Sequence, residues 1–143
     1  MIGRCLCGDV EYEVSGLSGN IYQCHCSLCR QQGGSFSNSG TVIPKNQLKW
    51  LKGQNRIKEW IKDTGFTSSF CTNCGSPTPN LLRQLDYYWI PVGNLEDGPF
   101  KVVANLCLNS KASWATVSNN GKDFESVPDI TDFITLLGNE PNE

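Results

Sequence analysis

Short alternating runs separated by turn residues dominate the chain. Val10-Glu11-Tyr12-Glu13-Val14 alternates apolar and acidic positions, the pattern of a strand with one buried face. Ser15-Gly16 and Ser18-Gly19-Asn20 mark turns behind it, and Ile21-Tyr22-Gln23 predicts a short strand. Ser27 can cap one helical turn running to Gln32, which Gly33-Gly34 would end. Ser35 to Val42 reads as a strand closed by Pro44. Leu48 to Leu51, Arg56 to Ile61 and Phe66 to Phe70 follow as strands, with turns at Lys52-Gly53-Gln54-Asn55 and Asp63-Thr64-Gly65. Their spacing of about ten residues predicts a β-meander. Tyr87 to Val92 is a further strand, Asn94 to Pro99 a loop, and Lys101 to Leu108 extended again. Asp129 to Leu137 predicts a short helix, after which the chain turns polar. With no linker and no repeat beyond two Cys-x-Cys pairs, one mainly β domain over residues 1–143 is expected.

Composition narrows the class. Hydrophobic residues make up 38% and charged residues 18%, which places the chain among globular rather than disordered proteins. No apolar run approaches the ~20 residues a membrane helix needs. The opening Met1-Ile2-Gly3-Arg4-Cys5 lacks a basic region followed by an apolar stretch, so no signal peptide is expected and the cytoplasm is the expected location. A net charge of −2 argues against a nucleic-acid partner, because phosphate binding leaves a basic footprint. Lys45, Lys49, Lys52, Arg56, Lys58 and Lys62 form a basic stretch that reads as a solvated face.

The eight cysteines change the picture most. Disulfides need an oxidising compartment, and nothing in the chain implies export. Cys5 and Cys7, like Cys24 and Cys26, are two apart, so on a strand they point to one face. That suits a shared metal and strains a disulfide between them. The clusters are Cys5-x-Cys7, Cys24-x-Cys26-x-x-Cys29 and Cys71-x-x-Cys74, with Cys107 alone. A structural zinc takes four ligands, whereas a catalytic zinc keeps three and leaves one position open. Seven clustered cysteines therefore divide into four and three. Cys5, Cys7, Cys71 and Cys74 make a closed site in that division, with Gly8 and Gly75 permitting tight turns behind each pair. Cys24, Cys26 and Cys29 make an open one. Spacing alone also allows Cys24 and Cys26 to join Cys71 and Cys74.

The other polar candidates carry competing roles. His25, the one histidine, lies between two cysteines and faces away from a metal if the backbone is extended. Its plain role is packing; its sharper roles are fourth ligand or proton carrier. Cys107, in Asn105-Leu106-Cys107-Leu108, reads as a buried thiol, with a fourth-ligand role as the alternative. Arg30 follows the triple cluster, where a cation beside three thiolates and one zinc would be favourable. Trp50, Trp60, Trp89 and Trp114 read as core and anchor residues.

Cys5-Leu6-Cys7-Gly8-Asp9-Val10, Cys24-His25-Cys26-Ser27-Leu28-Cys29-Arg30, Gly33-Gly34-Ser35, Gly65-Phe66 and Phe70-Cys71-Thr72-Asn73-Cys74-Gly75-Ser76 form an ordered set. Val92-Gly93-Asn94-Leu95 and Ser110-Lys111-Ala112-Ser113-Trp114 continue it. From Cys5 to about Trp114 the chain resembles the glutathione-dependent formaldehyde-activating enzyme family, which includes the centromere protein V group. The resemblance implies a β-tent of packed antiparallel sheets stapled by zinc. It implies a structural zinc on Cys5, Cys7, Cys71 and Cys74 and a catalytic zinc on Cys24, Cys26 and Cys29, two ions per chain. The implied activity is that of a carbon–sulfur lyase of the S-(hydroxymethyl)glutathione synthase type, with glutathione and formaldehyde as partners. Many members carry a histidine where this chain has Asn105, and asparagine cannot carry a proton near neutral pH.

The expected chemistry is delivery of a zinc-bound thiolate to a small aldehyde, since a coordinated thiol is deprotonated. His25, Asn105 and Ser27 are candidates to meet the resulting oxyanion, and Trp114 is a further candidate substrate contact. Two readings from other classes stand beside it: a zinc-stabilised binding module without catalysis, and a redox or metal switch built on accessible thiols.

Overall fold

Alternation decides which face of each strand is buried, and the cross-strand register carries that choice through the sheet. The computed structural model describes residues 1–82 and 85–139; the polar end of the chain lies outside them. The elements are β1 (Ile2–Arg4), β2 (Glu11–Val14), β3 (Asn20–Cys24), α1 (Ser27–Gly33), β4 (Asn38–Pro44), β5 (Leu48–Lys52) and β6 (Ile57–Ile61). They continue as β7 (Thr67–Cys71), β8 (Asn80–Leu81), β9 (Tyr87–Pro91), β10 (Lys101–Leu106), β11 (Lys122–Asp123) and α2 (Ile130–Leu137). The architecture is mainly β with several sheets and two short helices, as the resemblance implies.

A six-stranded sheet in the order β11-β10-β3-β4-β9-β8 forms the centre, beside a three-stranded sheet β1-β2-β5 and the β6-β7 hairpin. Strand β4 shows how the centre is built. Asn38, Gly40 and Val42 point to one face, while Ser39, Thr41 and Ile43 point to the other. On the first face, cross-strand pairs line up Asn38 with Cys24, Gly40 with Tyr22, Val42 with Trp89 and Trp89 with Asn80. Tyr22, Val42, Trp89 and Leu106 on that face pack with Phe133, Ile134 and Leu137 of α2. On the second face Ile43 and Ile90 meet Tyr12 and Val14 of β2. Both faces of β4 are therefore covered, which accounts for its continuous buried run from Gly40 to Pro44.

Three expectations change. The predicted β-meander does not form: β5 pairs with β2, and β6 pairs with β7 alone. Trp50 accounts for the choice, since on β5 it meets Tyr12 edge-to-face at 5.8 Å and Tyr88 at 6.2 Å, contacts that β6 does not supply. The central sheet is not wholly antiparallel, because β10 lies parallel to both β3 and β11. The long connection from β3 to β10 permits a parallel pair where a tight turn would not. The cap of α1 is Cys26 rather than Ser27, with the Cys26 sulfur accepting the Cys29 amide at 3.3 Å. Strands β1, β8 and β11 were too short for the pattern to mark, while the predicted C-terminal helix forms, capped by Asp129.

Asn139 ties the end of α2 to the sheet. It accepts the Ser18 amide at 2.8 Å and donates to Thr41 Oγ1 at 2.9 Å and to the Val42 carbonyl at 3.3 Å, with 1% of its surface exposed. Asn139→Ala leaves those groups buried and unpaired, a cost of about 2–3 kcal/mol. A thermal melt is expected to show a midpoint lower by roughly 5–10 °C; an unchanged midpoint would mean that these bonds do not hold the helix in solution.

Candidate metal centres and the cavity beside them

Two loops and two strand ends bring four sulfurs together. Cys5 and Cys7 follow β1, Cys71 ends β7, and Cys74 lies in the turn after it. Their sulfurs all lie within 4.8 Å of one another. Cys5 and Cys7 are 3.6 Å apart, and Cys7 and Cys71 are 3.8 Å apart. Sulfurs about 2.3 Å from a central zinc in a tetrahedron stand roughly 3.8 Å apart, so this donor set fits the ion. The surrounding backbone fits it too. The Val10 amide donates to Cys5 Sγ at 3.3 Å and the Asp9 amide to Cys7 Sγ at 3.5 Å. Gly8 and Gly75 take positive φ angles of 81° and 80°, which lets each knuckle close behind its pair. Ser76 Oγ lies 3.3 Å from Cys74 Sγ and, with the Ser76 amide, holds the Cys74 thiol down to about 5. Around the sulfurs, Cys5, Cys71 and Val10 form a small core with Trp50 and Ile57 against it. The cluster thus joins the three-stranded sheet to the β6-β7 hairpin.

Cys24 at the end of β3, Cys26 at the cap of α1 and Cys29 inside α1 form the second group, again with all sulfurs within 4.8 Å of one another. Cys24 and Cys26 do not join Cys71 and Cys74. Three sulfurs this close cannot all be anionic without a cation. The Cys26 thiol is held down to about 2 by hydrogen bonds from the Cys24 and Cys29 thiols and the Cys29 and Leu28 amides. Cys24 is pushed far up because its thiol keeps its proton, donating it to the Cys26 and Cys29 sulfurs. A divalent ion would take the place of those protons, and the donor set fits zinc as the first does. Cys107 lies outside the group but packs in the same core, and its burial pushes its thiol up.

A cavity of about 220 Å³ opens on Cys29. Tyr22, Asn38, Trp89 and Asn80 line it from the first face of the central sheet, and Phe66 and Leu82 are among its apolar walls. Gly40 makes room for the Trp89 indole, since a Cβ there would meet Trp89 Nε1. Burial pushes the Tyr22 hydroxyl well above its ordinary value, and the charges of Cys29, Cys24 and Cys26 add to the rise, so Tyr22 keeps its proton beside the sulfurs.

The structure places the other candidates away from this cavity. His25 is fully buried, stacked on Phe36 at 5.9 Å, and neither ring nitrogen has a partner among the described residues. Phe36 in turn meets the exposed Trp114 at 5.5 Å. Asn105 is fully buried in β10, where its amide nitrogen donates to the Ser118 carbonyl at 2.8 Å and to Asp123 at 3.0 Å. Ser27 is exposed and Arg30 half-buried on α1. Tyr22 and Asn80 were missed from sequence. Tyr22 had a signal, since it stands two residues before Cys24 and so shares its face. Asn80 had none, because its strand is only two residues long.

The model of the glutathione-dependent formaldehyde-activating enzyme family matches residues 1–112, so the chain belongs to that family. A crystal structure of a Rhodobacter sphaeroides protein is similar, with 29% identity and a TM-score of 0.58 over 68% of this chain and 90% of that one. A search of curated proteins gives no match.

The two sulfur groups should differ in what they support. Cys71 is fully buried in the core that joins two sheets, so Cys71→Ser is expected to abolish the cooperative melt. Cys26 is half-buried at a helix end, so Cys26→Ser should keep that transition. Circular dichroism melts check both; equal melts for the two variants would refute the division.

Proposed function

We infer that the chain is a zinc-dependent carbon–sulfur lyase that joins and splits a thiol and a small aldehyde. The partners that its family implies are glutathione and formaldehyde. Cys5, Cys7, Cys71 and Cys74 hold a structural zinc in this reading, and Cys24, Cys26 and Cys29 hold the zinc at which the reaction occurs. The observation that carries it is the cavity opening on Cys29: the group with three donors has a cavity beside it, as a site with an open ligand position requires. This favours the enzyme over a binding module in which both ions are structural.

When bound at the three cysteines, zinc supplies a thiol held as thiolate at neutral pH. The chain's own residues do the rest. Trp89, Phe66 and Leu82 exclude water from the thiol and aldehyde, which strengthens every polar contact inside. The protonated Tyr22 hydroxyl donates a hydrogen bond towards the oxygen that becomes negative as the carbon–sulfur bond forms. That role falls to Tyr22 because the side-chain amide of Asn105 is already engaged and His25 is sealed behind Phe36.

Zinc analysis of protein purified without chelator is expected to give two ions per chain in wild type and one in Cys26→Ser. Exchange spectroscopy of glutathione with formaldehyde should show adduct exchange accelerated by the wild type. The variant should lose roughly a hundredfold or more, the rate equivalent of about 3 kcal/mol. A folded Cys26→Ser protein that accelerates exchange at the wild-type rate would overturn the reading.

Tyr22→Phe removes the hydroxyl and keeps the packing on Phe133, whose ring lies 4.8 Å away. It is expected to lower the maximal rate about 100-fold with little change in melting temperature. An unchanged rate would remove Tyr22 from the mechanism.

A further inference from the structure

Among the described residues β6 pairs with β7 alone, so one edge of β6 faces away from any strand. The ladder shows which groups lie on that edge. Thr72 N–H donates to the Arg56 carbonyl at 2.9 Å and Lys62 N–H to the Phe66 carbonyl at 2.8 Å, so the even-numbered residues of β6 bond to β7. The N–H and C=O groups of Glu59 and Ile61 point the other way and have no backbone partner among the described residues. An edge with free backbone groups is a template for another strand. Side chains alternate as well: Lys58 and Trp60 share one face, and Lys62, next after the strand, continues it. Trp60 is 53% exposed, and with Lys62, Leu28 and Gln31 it lines a cavity of about 290 Å³ against α1. Neither Lys58 nor Lys62 forms an ion pair among the described residues.

We propose that the free edge of β6 docks an extended acidic segment of another protein, which adds an antiparallel strand and sets a carboxylate against each of Lys58 and Lys62, with an apolar residue between them on Trp60. In such a pair Glu59 and Ile61 make the backbone bonds. Lys58, Trp60 and Lys62 then occupy the positions where facing side chains come closest, with Cα atoms about 4.5 Å apart. The sequence that fits alternates as acid-x-apolar-x-acid. A second copy of this chain does not fit. Any two-fold pairing of β6 with itself, centred on Lys58, Glu59, Trp60 or Ile61, puts like charges opposite: Lys58 on Lys58, Glu59 on Glu59, Lys58 on Lys62, or Glu59 on Asp63. A nucleic acid would meet the lysines but carries no peptide groups for Glu59 and Ile61 to pair with.

The test uses zinc-loaded full-length protein and the rhodamine-labelled peptide Ser-Glu-Thr-Phe-Thr-Glu-Ser-amide, with binding read by fluorescence anisotropy. Wild type should bind it, and should bind the same peptide with lysines in place of the glutamates about tenfold more weakly. Lys58→Glu with Lys62→Glu should weaken the acidic peptide about thirtyfold and strengthen the basic one. Lys45→Glu with Lys101→Glu makes the same change of net charge elsewhere and should alter neither by more than about twofold. If the first double variant does not fold, Lys58→Gln with Lys62→Gln serves, with about fivefold weakening of the acidic peptide expected. N-methylation of both threonines, whose amides face β6 in the docked strand, should abolish binding, while N-methylation of the phenylalanine should cost less than about threefold. Equal effects of the two charge variants, equal effects of the two methylations, or no binding by wild type overturns the proposal. So does a wild-type dimer that the Lys58 and Lys62 substitutions alter, which would seat a second copy on the edge. Binding of a short RNA in place of the peptide, with the same dependence on both lysines, overturns it too.

Discussion

Four sulfurs held within 4.8 Å of one another set the terms for the rest of the molecule. Thiolates at that separation repel strongly in a half-buried setting, and only a cation makes the arrangement favourable. Once it is favourable, the cluster fixes the knuckle after β1 against the end of β7, segments far apart in the chain. The hairpin β6-β7 shares no sheet with the other strands and leans on this junction. The wall that Phe66 gives the cavity comes from the turn of the same hairpin. A sulfur cluster remote from the cavity therefore shapes it.

The central sheet divides labour between its faces. The face carrying Ile43 and Ile90 packs on Tyr12 and Val14 of β2. The opposite face carries Cys24 and Tyr22 of β3, Trp89 of β9 and Asn80 of β8, joined across β4 through Asn38, Gly40 and Val42. Rigid strands are a better mount for such a row than loops, because each side chain's direction follows from its neighbour's. Gly40, placed among bulkier neighbours, leaves the space that the Trp89 indole fills.

Much of this was legible in the sequence, and the unread part has physical causes. The strands with clear alternation, β2, β3, β6, β7 and β9, lie where the pattern puts them. The sulfur groups follow the clusters of the chain, because residues two or three apart on a strand end or tight turn cannot diverge far. Pairing was less legible. The meander failed because local spacing says nothing of Trp50 meeting Tyr12 from another part of the chain. The parallel strand β10 was invisible for the same reason. Asn80 was unreadable because two residues show no period, and its place in the cavity wall emerges only once β8 lies beside β9.

The placement of β10 also bears on how the chain assembles at the ribosome. Strand β3 is central in the sheet, with β4 on one side and β10 on the other. Until the chain has been made as far as Leu106, one edge of β3, the strand that ends at Cys24, stays open. An open edge is a template for pairing with another chain. The nascent protein thus passes through a stage in which its triple-cysteine segment is exposed beside an unpaired strand, and rapid synthesis from β4 to β10 shortens the time for which other chains can pair there.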